Sequence, residues 1–294
     1  MTLKKMVAIL VLNLAFAACV IGEIEAQTEY AIDISEATWD HSTIRILLIP
    51  QEDEPWWDSA FITLTLQAVD MWNKALATFA STYLDFAYLS DIRLAPTESA
   101  ETTQDFDVYI SWKEKFTDNS LGTVGFTTLY TLSNVIKSCN MTLAAKDLLS
   151  MPLPDVVKQG AAIHEVGHAL GLLHTDYSDD IMFYQAKFDI SVRPISNLDA
   201  YGVAQVFRWR SFSPQFNPSN QEPRPNSVSL PSGIEYEYLN APQQDPLSRI
   251  ISSFLRYIQT PGGLIVFIII MVGFIVISSA LYRVYTQRNS ERPQ

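Results

Sequence analysis

Three of the chain's four histidines fall within eleven residues, His164, His168 and His174, in the run HEVGHALGLLH. Residues four apart on an α-helix share one face, so His164 and His168 can address one ion. Glu165 follows the first of them, and its carboxylate can reach a metal-bound water without ligating the metal. Gly171 can take the left-handed conformation that stops a helix, after which the chain reverses and His174 can swing back as a third ligand. Three neutral imidazoles leave a fourth tetrahedral position for water, which is the arrangement of a catalytic rather than a structural zinc. HExxH alone is a weak pattern, but the extended pattern fixes five positions. Its chance occurrence in a chain of this size is on the order of one in a hundred thousand at ordinary residue frequencies. His41 lies far off in sequence and reads as a surface residue.

The elements that must position these residues follow from apolar spacing. Residues 43–50 (TIRILLIP) form a short β-rich run ended by Pro50 and predict a strand. Phe61, Leu64, Ala68, Met71, Trp72 and Ala75 recur every three or four residues and predict an amphipathic helix over 59–79. Strands are predicted over 84–94, 107–112, 122–129 and 135–143. Pro152 or Pro154 opens the helix that carries the histidines to Leu170. A last helix starts at Ser196, with Asp199 three residues on as its capping partner. Strand, long helix, several strands, active-site helix and closing helix describe an α/β or α+β domain over 27–212.

HEVGHALGLLH resembles the metzincin signature HExxHxxGxxH. Metzincins carry a methionine turn beneath the metal, and Asp180-Ile181-Met182 fits that turn. Within the clan the layout over 43–209 is most similar to the matrixins, the matrix metalloprotease family. Gly122-Thr123-Val124 resembles their substrate-binding edge strand, and Asn197-Leu198-Asp199-Ala200-Tyr201 the start of their closing helix. The resemblance implies a twisted mixed sheet, an active-site helix and a closing helix. It implies one catalytic Zn2+ held by His164, His168 and His174, and Met182 packed under it. The expected activity is endopeptidase cleavage of peptide or protein substrates, with Glu165 as general base. Astacins and serralysins, other metzincins, place a tyrosine two residues after that methionine, where it can touch zinc and bond the oxyanion. Matrixins usually lack it. Tyr184 is therefore either a transition-state stabiliser or a wall of the specificity pocket. The segment before the first strand is too short for the family's usual prodomain, and no cysteine-switch sequence is present. The four histidines leave none for a second, structural zinc. A structural Ca2+ is compatible with the chain but not readable from it. A catalytically inactive cell-surface binding or adhesion module on the same scaffold is the alternative reading. Loss of Glu165 or of a ligand would favour it, and all five motif positions are intact.

The chain ends carry a different signal. Lys4 and Lys5 precede an apolar run and then small residues, so 1–26 reads as a signal peptide or signal anchor. Residues 261–282 are apolar and uncharged, long enough to span a bilayer, and the Arg-rich tail at 283–294 favours a cytoplasmic C-terminus. A Pro/Asn/Gln-rich stretch at 213–246 predicts an extended stalk, and 247–260 an amphipathic helix on the membrane surface. The expectation is a single-pass protein of the cell membrane with its catalytic domain outside the cytoplasm. The chain has 32 acidic against 20 basic residues, a net charge of −12, which argues against a nucleic-acid partner. Cys139 has no partner for a disulfide without Cys19 and reads as a buried thiol, and Asn140-Met141-Thr142 is a glycosylation sequon. Oligomeric state is not readable.

Overall fold

The computed structural model of the chain describes residues 30–99, 105–117, 123–184, 192–218 and 224–239. The expected segments 1–26, 247–260, 261–282 and 283–294 lie outside the described residues. Among the described residues no helix is long and apolar enough to cross a membrane. In chain order the elements are β1 (Ala31–Asp33), β2 (Thr43–Leu48), α1 (Ala60–Thr82), β3 (Arg93–Glu98), β4 (Val108–Lys113), β5 (Gly125–Leu132), β6 (Val135–Ala144), α2 (Asp155–Ala169), α3 (Asn197–Val206) and β7 (Ser227–Ser229).

Five strands form a mixed sheet in the order β3-β2-β4-β6-β5. The first four are parallel to one another, and β5 closes one edge antiparallel to β6. The β5–β6 hairpin turns through Ser133 and Asn134, both with positive φ (51° and 60°), which is the two-residue turn whose twist matches paired strands. β2 sits inside the sheet, and Ile44, Ile46, Leu47 and Leu48 are all buried.

α1 buries Phe61, Ala68, Trp72, Ala75, Leu76 and Phe79, the helical stripe that its spacing predicts. The Trp72 indole N–H donates to the Ile163 carbonyl at 2.8 Å, fixing α1 against α2. Trp72 is fully buried, so its truncation to Ala costs about 3–5 kcal/mol. Asn73 pairs with both backbone groups of Leu94, at 2.9 and 3.0 Å, and ties the same helix to β3.

Two expectations need correction. Residues 84–94 do not form one strand. Leu84–Asp91 winds into 3-10 turns in which Leu89 alone is buried, and Leu84 is 79% exposed. The apolar residues there do not alternate, and the chain must descend from the end of α1 to the sheet before β3 begins. β3 includes Pro96, which is tolerated because β3 is an edge strand.

The second correction concerns 213–246. Residues 224–239 are docked on the domain rather than extended as a stalk, so the folded unit continues beyond residue 212. β7 pairs antiparallel with β1, Asn197 N–H donates to the Glu237 carbonyl at 2.8 Å, and Leu239 N–H to the Ile195 carbonyl at 2.8 Å. Val228, Leu230, Ile234, Tyr236 and Leu239 pack on the core. Proline content masks this apolar pattern in a compositional reading.

His41 lies at the surface, half-exposed, and is held there by two acids. Its Nε2 lies 3.3 Å from Asp107 Oδ2 and its Nδ1 2.8 Å from Asp40 Oδ1. The hydrogen bond to Asp107 outweighs burial and raises the imidazole pKa. Burial would raise both acids, but hydrogen bonds from His41, with Arg45 on Asp107 and Lys137 on Asp40, leave both lowered. The histidine's contribution is fully present below its unfolded pKa of about 6.5 and is lost as pH rises through the raised folded value. The acids' contribution is present above their unfolded pKa of about 3.9 and is lost as pH falls through the lowered folded values. His41→Gln should therefore destabilise the protein more at about pH 5.5 than at about pH 9. Urea denaturation of both proteins at the two pH values checks this, and an equal loss at both would contradict it.

Candidate metal centre and active-site cleft

α2 carries two functions on opposite faces. Ile163, Val166 and Ala162 are buried in the core, while His164 and His168 face a cleft of about 420 Å³. Gly171 follows with φ 95°, and Gly171 N–H returns to the His168 carbonyl (2.9 Å) and Leu172 N–H to that of Gly167 (3.0 Å). This is the left-handed helix stop that glycine permits. The reversed chain then pairs with β1: Leu173 N–H donates to the Asp33 carbonyl (2.8 Å), and Asp33 N–H to the His174 carbonyl (3.0 Å). The Thr175 hydroxyl holds the Ala31 carbonyl at 2.6 Å. β1 thus fixes His174 against the helix histidines.

The three rings converge, with centroids 4.6, 4.9 and 5.4 Å apart, and one ring nitrogen of each lies within 4.8 Å of the others. His164 Nδ1 lies 2.7 Å from the Ile181 carbonyl, and His168 Nδ1 lies 2.8 Å from the Leu172 carbonyl. A carbonyl only accepts, so both Nδ1 atoms carry the proton. Burial pushes the pKa of His164 down to about 4 and that of His168 to about 3, and it also lowers that of His174. All three are neutral at pH 7, so the two Nε2 atoms present bare lone pairs to each other across 3.0 Å. Two acceptors face one another with no proton between them, which calls for a cation. Tetrahedral zinc with bonds of about 2.0–2.1 Å sets such nitrogens about 3.3 Å apart, so the donor set fits that ion.

Glu165 is buried at the side of the same cleft. The Thr127 hydroxyl of β5 donates to its Oε2 at 2.6 Å. Burial raises its pKa to about 7 against the opposing effect of that hydrogen bond. Oε1 faces the start of β5, where a side chain at Gly125 would come within 2.5 Å of it. Tyr184 also lines the cleft, with its ring 4.4 Å from that of Phe183 and the residue 57% exposed. Met182 is fully buried, and its carbonyl accepts from Thr175 N–H at 3.2 Å. Cys139 lies inside the sheet, where burial pushes its thiol well above the ordinary range and makes it inert.

The structure therefore brings His164, Glu165, His168, His174 and Tyr184 into one cleft. Gly122 lies outside the described residues, and the edge strand starts at Gly125. Sequence reasoning passed over Thr127 and Gly125. Both lie on the predicted edge strand, but periodicity does not say which of its faces meets Glu165. β1 carried no strand signal of its own.

The matrixin family model (Peptidase_M10) matches residues 67–208. No curated protein matches the chain. The matched region is a matrixin-like domain, which indicates a zinc metallopeptidase. The purified protein should hold one zinc, and His168→Ala should lose most of it, because two imidazoles make a poor site. Metal analysis after dialysis checks this, and full zinc in the variant would remove His168 from the ligand set.

Proposed function

We propose that this matrixin-like domain belongs to a membrane-anchored, extracytoplasmic zinc-dependent endopeptidase. The observation that carries the catalytic reading is the convergence of three neutral imidazoles beside a buried glutamate, under the edge strand of a sheet. Anchoring and orientation rest on the sequence of 1–26 and 261–294.

Among the described residues β5 is paired on its β6 side alone, so an extended peptide can add to its other side through backbone hydrogen bonds. Residues 124–128 lie beside Glu165 and would carry that pairing. His164, His168 and His174 would hold the ion, which supplies a Lewis acid and an activated water when bound. Thr127 fixes Glu165 Oε2 and leaves Oε1 toward the substrate strand. A carboxyl with a pKa near 7 can take the proton of the attacking water and pass it to the leaving amine. The cleft walls beyond the histidines, Val156, Leu172, Phe183 and Val192 among them, favour an apolar substrate side chain.

Glu165→Ala should keep zinc and fold while losing hydrolysis by roughly 100- to 10,000-fold. Cleavage of a peptide library at the wild-type rate would sink the mechanism. Tyr184 packs on Phe183 and is more than half exposed, which supports its role as a pocket wall. Tyr184→Phe should then preserve kcat, while Tyr184→Ala changes which peptides are cut. A fall in kcat of roughly 10-fold or more with KM unchanged in the Phe variant would show instead a hydroxyl that acts in the transition state.

A further inference from the structure

The docked C-terminal segment reaches the turn beneath the histidines. The Tyr236 hydroxyl donates to Asp180 Oδ2 at 2.8 Å. Its ring is locked among Tyr30, Tyr177 and Tyr238, with centroids at 4.6, 4.8 and 5.5 Å. Asp180 is fully buried and accepts two further hydrogen bonds, from Met182 N–H on Oδ1 (2.8 Å) and from the Ser196 hydroxyl on Oδ2 (2.7 Å). The next carbonyl in the chain, Ile181, is the one that holds His164 Nδ1, and the Met182 carbonyl takes Thr175 N–H next to His174.

These contacts form one path from the C-terminal segment to a ring of the histidine triad. Asp180 is the knot in it, because its side chain bonds forward to its own turn and backward to Tyr236 and Ser196. A buried carboxylate that loses one donor in a sealed site must find another or shift. Beside Asp180 lies a second buried acid, Asp199, whose Oδ2 is engaged in the capping box of α3. Burial first, and then the neighbouring Asp180 side chain, raises the pKa of Asp199 well above the ordinary carboxyl range. Burial and the same carboxylate push Tyr236 far above the ordinary tyrosine range, so it remains a donor. Tyr236 also lies beyond residues 67–208, so the matrixin-like region does not itself contain this support.

We infer that Tyr236 is a positioning residue for the metal centre: through Asp180 it sets the turn whose Ile181 carbonyl orients His164. The C-terminal segment is then a working part of the site and not a spacer behind it. The inference rests on the reading of the three histidines as zinc ligands.

The test uses the full-length protein in detergent, with Zn2+ for release kinetics and Co2+ for spectroscopy. Tyr236→Phe keeps the ring and removes the donor. Tyr88→Phe is the comparison, since it removes a tyrosine hydrogen bond of the same kind, to the Ala204 carbonyl at 2.7 Å, without touching the turn. Hydrogen bonds that orient metal ligands change affinity by about 10- to 100-fold. Tyr236→Phe should therefore speed zinc release to a chelator by about 10-fold and shift the visible bands of the cobalt form. Tyr88→Phe, at a comparable Tm, should do neither. A wild-type release rate and spectrum in folded Tyr236→Phe overturns the inference, as does equal acceleration in both variants. If Tyr236→Phe does not fold, Asp180→Asn is read by the same two measurements, and unchanged release there overturns it equally. A wild-type protein that binds neither metal at the histidines would instead overturn the metal-site reading itself.

Discussion

Two bare imidazole nitrogens held 3.0 Å apart are the constraint on which the rest of the site depends. Left to themselves, neutral imidazoles would turn away from such a contact or share a proton. Here neither is open to them. Each Nδ1 is committed to a backbone carbonyl, one from the turn at Ile181 and one from the chain just past the helix stop at Leu172. Burial disfavours the charged ring that would relieve the repulsion. The fold holds open an electrostatic demand that a cation satisfies, and the second-neighbour carbonyls fix ring orientation as they do around bound metals in general.

Holding that contact requires a rigid helix end, and three tryptophans contribute to it. Trp72 anchors α2 from below through the Ile163 carbonyl. Trp39 donates its indole N–H to the Ala169 carbonyl at 2.9 Å, satisfying one of the carbonyls that a helix C-terminus leaves unpaired. Trp209 in turn donates to the Trp39 carbonyl at 3.0 Å. Each indole brings apolar bulk to the core and one donor to a backbone carbonyl. His164 and His168 thus sit on an element whose position is fixed from the core side before any metal binds.

Among the described carboxyl groups, burial lifts two above the ordinary range, with different consequences. Glu165 has one hydroxyl partner and borders the cleft, so its proton can exchange with a reacting group. Asp199 is closed off beside a second carboxyl and inside a capping box, so its carboxyl serves the architecture. Desolvation is common to both. Access separates the role in chemistry from the role in structure.

Local spacing in the sequence determines a large part of this protein. An i, i+4 histidine pair on a helix, a glycine where the helix must stop, and Ser196 with Asp199 across the first turn of α3 are short-range geometry, legible without knowing the fold. So is the apolar stripe of α1. The tertiary structure alone decided which face of β5 meets Glu165, and hence that Thr127 is its partner. It alone placed the three residues of β1 beside His174 and drew residues 224–239 back onto the domain. Those contacts join residues far apart in the chain. β1 is too short to show a period, and the prolines around Tyr236 give that region the composition of a linker. Their positions follow from pairing edges and burying hydroxyl donors, which no local pattern records.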